Sequence, residues 1–264
     1  WIFEGFTSYY DDLLLLRSGC ITRTDYLRML AKTITGVARA PGRKKQSVAE
    51  SSFDAWTRYY KQDENSPNAI VSYYTKGSLV ALGLDLTIRQ QSGGRHSLDD
   101  VMRLLWQRHG RDFYQGKQRG LDEAALPALV REATGVDVRR FVARYAYGTA
   151  DVPLAELLAT AGVTLQWKTA APIPCIDARV RKQGDGLALA TVLEGGAAHK
   201  AGLSAGDVLV AVDGLRVDAP AGLDVLLSQY RVGERVQVHV FRRDELRAFT
   251  VRLSAPAALD CVLS

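Results

Sequence analysis

The chain has 264 residues and few groups with which to cross-link itself or to ligate a metal cluster. Its three cysteines, Cys20, Cys175 and Cys261, are far apart, odd in number and form no C-x-x-C pair. That excludes a cysteine-type structural zinc site; free thiols suit a reducing compartment without excluding a periplasmic one. The four histidines, His96, His109, His199 and His239, lack metal-ligand spacing, and no H-E-x-x-H helix occurs. The longest aliphatic run, Leu13 to Leu16, sits between Asp12 and Arg17. It is far below the ~18 apolar residues of a membrane span, so no span is expected. No glycine loop of phosphate-binding type and no Ser/His/Asp grouping stands out. The net charge is +5 and the isoelectric point about 9.1, but the bases form no single stripe. The densest cluster, Arg39 to Lys45, reads as a solvated loop. Without interleaved aromatics or a nucleic-acid module, nucleic acid is not an expected partner.

What is present is ordinary for a globular protein: 47% hydrophobic and 24% charged residues, with length enough for two domains. Residues 1–162 carry helical spacing. Helices are expected over 4–16, from Thr22 onward, over 69–91, from Ser97 to near Gly110, and over about 122–133, 137–146 and 153–160. Residues 47–54 read as extended or irregular. After Gly162 the period changes to short β-rich runs at 163–168, 187–193, 208–212, 236–241 and 249–253. Two helices, near 197–201 and 219–230, punctuate them. The expected organisation is a helical domain over 1–162, a small α+β domain over 163–254 and a tail over 255–264.

One carboxylate, Glu4, stands in an apolar, aromatic helical run with Trp1, Phe3, Phe6, Tyr9 and Tyr10. Burying such a charge is costly unless a cation or a metal compensates it, and the residues alone leave both open. The order W-x-x-E-G-x-T-x-Y-Y resembles the segment carrying the third zinc ligand in the glycyl-aminopeptidase family of gluzincin zinc metallopeptidases. Ser72-Tyr-Tyr-Thr-Lys-Gly77 resembles that family's Y-x-K-G motif, and residues 46–56 also look like it. The resemblance implies a thermolysin-like helical subdomain in which Glu4 is a zinc ligand. Tyr74, with the adjacent Tyr73 as alternative, is then the phenol that steadies the oxyanion. It also places Gly5 and Glu50 at the substrate; Glu50 is equally readable as a surface carboxylate, and its functional role would be to pair with a peptide's free amino group. The family's histidine ligands come from an H-E-x-x-H helix earlier in its chains. This chain begins inside a helical run where the third ligand falls, so it is expected to be the C-terminal part of a longer protein. Any targeting signal would lie upstream. Zinc belongs to that longer protein; the isolated chain is expected to lack it and to be inactive.

Residues 194–214, with Ala197, Ala201-Gly202-Leu203, Gly206-Asp207 and Asp213-Gly214, resemble the PDZ signature in the circularly permuted form found in bacterial proteases. The resemblance implies a groove that takes peptide segments by strand addition. Its carboxylate loop would be Cys175 to Ala178, including Ile176 and Asp177, where the family has Gly at the position of Asp177. The opposite wall would be the helix holding Leu223, Leu226 and Leu227, which also read as core. Two functions follow: an aminopeptidase releasing N-terminal residues of Gly or Ala type from peptide or protein substrates, or a non-catalytic PDZ scaffold.

Overall fold

Capping signals set the first helices. The structure, a computed structural model, describes residues 1–116, 120–169, 173–184, 186–257 and 259–264. Helix α1 (Ile2–Arg17) buries Ile2, Gly5, Phe6 and Tyr9, steps of three and four that make one stripe. Gly19, at φ 77°, turns the chain after it. Thr22 caps α2 (Arg23–Ala38): its hydroxyl accepts the Asp25 amide at 3.1 Å and the Asp25 carboxylate accepts the Thr22 amide at 3.2 Å.

Residues 47–54 are not irregular. They form α3 (Val48–Phe53), because Ser47 and Glu50 close a second capping box at 3.1 and 2.8 Å. A π-helical turn, Ala55–Tyr59, follows, then the short α4 (Ser66–Ala69). The helix expected from residue 69 starts only at α5 (Thr75–Gln91). Tertiary contacts override helix preference over 70–72. The Val71 amide donates to Gln46 Oε1 at 3.1 Å and its carbonyl accepts the Ser51 hydroxyl. Gly42 lies so close that a Cβ there would stand 2.1 Å from the Ile70 carbonyl oxygen. From Lys76 to Ile88, α5 is buried all round, which makes it the central post of this half. Helices α6 (Leu98–Leu105, extended by a π-helical turn to Gly110), α7 (Leu126–Thr134), α8 (Arg139–Tyr145) and α9 (Leu154–Ala159) complete it.

The β-rich half contains β1 (Leu165–Lys168), β2 (Ala178–Gln183), β3 (Gly186–Val192), α10 (Ala197–Ala201), β4 (Val208–Val212), β5 (Leu215–Arg216), α11 (Pro220–Leu227), β6 (Arg235–Arg242), β7 (Glu245–Arg252) and β8 (Asp260–Leu263). Strands β2-β3-β4-β6-β7 form an antiparallel sheet in that order, with β5 paired to β4. Asp213 and Gly214, at φ 47° and 80°, make the primed turn joining β4 to β5. Strand β2 is one edge of the sheet.

Residues 255–264, expected as a tail, instead supply β8, which pairs with β1 as a separate two-stranded ribbon. This ribbon packs on the helices: Cys261 is buried in their core, Leu165 and Leu263 pack against it, and the Cys261 amide donates to Thr35 Oγ1 at 2.9 Å. An isolated ribbon is marginal in water and needs such cover. A second joint is the buried Asn68. Its amide nitrogen donates to the Val192 carbonyl at 2.8 Å and its oxygen accepts the Glu194 amide at 3.0 Å. One side chain thus mimics a strand partner between the halves.

Candidate active site and peptide groove

Two glycines assemble the first site. Helices α1 and α5 cross at Gly5 and Gly77, where a Cβ on Gly5 would stand 2.8 Å from the Gly77 carbonyl carbon. Backbones approach this closely only where side chains are missing. The place of Gly5 in the fold is therefore this crossing. It brings Glu4 near Tyr74, so that the Glu4 charge acts on the Tyr74 phenol. The Glu-Gly of one motif and the Tyr-x-Lys-Gly of the other meet at one spot.

Glu4 is half-buried in the first turn of α1, where the helix dipole favours a carboxylate. Among the described residues no hydrogen bond or ion pair engages its carboxylate. Among the described residues no side-chain cation pairs with it, although its charge acts on the Trp1 ammonium, and it is less buried than its apolar neighbours suggested.

Tyr73 and Tyr74 lie in the turn before α5 rather than on the helix. Their hydroxyls join a third: Tyr60 Oη is 2.7 Å from Tyr74 Oη and 3.1 Å from Tyr73 Oη, and Tyr73 donates to Tyr74 at 3.4 Å. Tyr73 is 5% exposed and Tyr74 half-buried, so Tyr74 is the more accessible phenol. Its hydrogen bond to Tyr60, then burial and the Glu4 charge, push the Tyr74 phenol upward, while donation from Tyr73 acts against them. Burial, followed by hydrogen bonds to Tyr60 and Tyr74, pushes the Tyr73 phenol up as well. Both phenols are therefore donors at neutral pH. Tyr60 was visible in the sequence only as part of an aromatic cluster with Trp56 and Tyr59. Its ring lies 5.4 Å from that of Trp56, which is 80% exposed. No sequence signal gave its meeting with Tyr74, which depends on the π-helical turn.

Lys76 serves the scaffold. It is 2% exposed, and its ammonium donates to the carbonyls of Arg43 at 2.9 Å and Thr149 at 3.3 Å; burial lowers its pKa. Asp85 and Arg89 form the i,i+4 ion pair that their spacing predicts, at 2.9 Å. Asp85 also accepts the Tyr9 hydroxyl at 2.8 Å and the Leu98 amide at 2.7 Å, fastening α1, α5 and α6 together. Glu50 is exposed, and one of its oxygens is committed to the α3 capping box.

The second site lies between edge strand β2 and α11. Asp177, where the resemblance has Gly, takes φ 56°, a region that Asp enters more readily than most residues. Its carboxylate is fully occupied: it accepts the Ala197 amide at 2.9 Å and the Ser254 hydroxyl at 2.5 Å, with the Cys175 thiol at 3.4 Å. The start of α10 and Ser254 thus hold this carboxylate in place. Among the described residues the Ile176 amide has no hydrogen-bond partner, whereas the Asp177 amide donates to the Cys175 sulfur, a weak acceptor. Successive amides at a left-handed residue are the elements of an anion-binding concavity. Leu223, Leu226 and Leu227 are all buried with Ile176 in the core of this half, and Ala178 and Val180 pack on that core. They anchor α11 beside β2.

The chain thus joins a helical unit to a separate β-domain. Residues 1–80 match the family model of M61 glycyl aminopeptidase, and residues 174–253 are a PDZ domain. The crystal structure of an aminopeptidase N family protein from Idiomarina loihiensis matches the whole chain at 37% identity and a TM-score of 0.90. The chain spans 46% of that protein. An HtrA-type protease, AlgW with decapeptide, matches over 33% of this chain and 30% of its own, at 17% identity and a TM-score of 0.31. A serine endoprotease from Yersinia pestis matches over 39% and 33%, at 16% identity and a TM-score of 0.30. No curated protein matches. No helix among the described residues is long and apolar enough to cross a membrane.

Proposed function

We propose that these residues work within a longer zinc-dependent aminopeptidase that releases N-terminal residues, of Gly or Ala type, from peptides. The observation that carries the reading is the Gly5–Gly77 crossing, which brings an unpartnered carboxylate to a phenol whose proton is firmly held. Glu4 suits one ligand position of a zinc ion. Among the described residues no three His, Cys, Asp or Glu side chains converge, so the other ligands must come from outside them. Zinc, when bound, supplies Lewis-acid polarisation and an activated water. Tyr74 contributes an O–H donor to oxygen that gains negative charge, and Tyr73, donating to the Tyr74 oxygen, makes it a stronger donor. Tyr60 holds the Tyr74 hydroxyl in place. The isolated chain is expected to hold no stoichiometric zinc and to have no peptidase activity.

The test is the zinc content of the full-length protein beside its Glu4→Ala variant. Near-stoichiometric zinc that is lost in the variant supports the ligand role. No zinc in either would favour the second reading, a peptide-binding scaffold.

A further inference from the structure

Strand β2 is an edge that can accept a further strand, and its exposed face is basic. Its sequence is Ala178-Arg-Val-Arg-Lys-Gln183. Ala178 and Val180 pack on the domain core, whereas Arg179, Arg181 and Lys182 are exposed. None of these three cations has a hydrogen bond or ion pair among the described residues. Cations on an edge strand also discourage self-association, so charge by itself is not enough. The second observation is the two amides directly before the strand: that of Ile176 is unpaired and that of Asp177 meets only the weakly accepting Cys175 sulfur. They fix the register of an incoming chain.

We infer that this groove selects extended peptide C-termini with acidic side chains at alternate positions. The inference rests on the PDZ reading of the β-domain and deepens it. A terminal carboxylate seated on the Ile176 and Asp177 amides sets the last peptide residue opposite Ala178. An antiparallel strand then places the penultimate residue opposite Arg179, and the fourth from the end opposite Arg181. Residues directly opposite share a face of the sheet. The penultimate and fourth-from-last side chains therefore meet the two guanidiniums. The last and third-from-last share a face with Ala178 and Val180, on the side of the apolar core. The Asp177 carboxylate is held by the Ala197 amide and the Ser254 hydroxyl. Asp224 is the one acidic residue of α11; it is exposed and lies off the Leu223–Leu227 line that faces the core.

The test is fluorescence anisotropy of the 264-residue chain with dye-labelled peptides ending Glu-Val-Glu-Val, Ala-Val-Ala-Val and Lys-Val-Lys-Val, each as free acid and as amide. Two opposite-charge cross-strand pairs predict roughly tenfold tighter binding of the acidic than of the neutral free acid, shrinking with salt. The basic peptide should bind weakest, and amidation should weaken all three. In the Arg179→Glu/Arg181→Glu variant the order should invert, whereas Arg179→Lys/Arg181→Lys should keep it. A thermal melt confirms that each variant is folded. Equal affinity for the three free acids would overturn the inference while leaving the PDZ reading intact. So would charge reversal that alters self-association but not peptide ranking. No binding of any peptide, free or amidated, would overturn both.

Discussion

Replacing Gly5 by alanine adds one methyl group where the structure has no room for it. The new Cβ would stand 2.8 Å from the Gly77 carbonyl carbon and 3.0 Å from the Gly77 Cα and carbonyl oxygen. All three are backbone atoms of Gly77 in the first turn of the buried helix α5, so no flexible side chain can yield. α1 and α5 must separate. Forcing a methyl into a packed core costs about 1–3 kcal/mol. That exceeds the roughly 0.5–1 kcal/mol gained by exchanging Gly for Ala inside a helix. The net loss of about 1–2 kcal/mol corresponds to a fall in Tm of roughly 2–8 °C for a chain of this size. Gly36 is the control: it lies in α2 with nothing within 4 Å of an added Cβ. Gly36→Ala should raise stability by about 0.5–1 kcal/mol. Thermal melts followed by circular dichroism at the helical band compare the two. A Gly5→Ala variant as stable as the parent would refute the reasoning, because the crossing distance would then not be limiting.

Further outcomes are expected. In the full-length protein, Tyr74→Phe should lower kcat by ~10²-fold or more with zinc content unchanged, as for other oxyanion donors; an unchanged rate assigns the role elsewhere. Asn68→Ala leaves the Val192 carbonyl and the Glu194 amide without their partner and should cost about 1–3 kcal/mol. Limited proteolysis between the halves should quicken, and an unaltered pattern would mean that Asn68 does not join them. Asp177→Gly removes the bonds to Ala197 and Ser254 while easing the backbone, and should lower stability on balance by about 1 kcal/mol; a more stable variant would show that backbone strain dominates. Burial pushes the Cys261 thiol up to about 11, whereas Cys20 is exposed. At pH 8 a thiol reagent should modify Cys20 promptly and Cys261 only on unfolding; prompt reaction of Cys261 would contradict the β1–β8 ribbon.

Local chemistry was legible in the sequence wherever a few adjacent residues decide the outcome. Thr22 with Asp25 and Ser97 with Asp100 each close a capping box, which fixes a helix start. Gly202, at φ 88°, ends α10, and Asp213-Gly214 makes a two-residue turn. Ser47 and Glu50 carried the same capping signal, so α3 was readable too, although the segment was expected to be irregular. The two motif glycines and the residues between Glu194 and Gly214 marked the peptidase-type and PDZ parts for the same reason: they are short runs whose residue types a turn, a crossing or a helix end requires.

The tertiary structure alone decided what distant residues do to one another. Period and propensity favoured a continuous helix through residues 70–74, but Gln46, Ser51 and Gly42 hold its first residues extended, and that delivers Tyr73 and Tyr74 to Tyr60. Nothing local made β8 the partner of β1, or Asn68 the joint between the halves. The resemblance marked Asp177 as standing at a glycine position; only the fold supplied the Ala197 amide and Ser254 hydroxyl that hydrogen-bond its carboxylate. The division follows from range. Caps and turns are set by bonds spanning a few residues, whereas sites are set by packing, whose partners a one-dimensional pattern does not name.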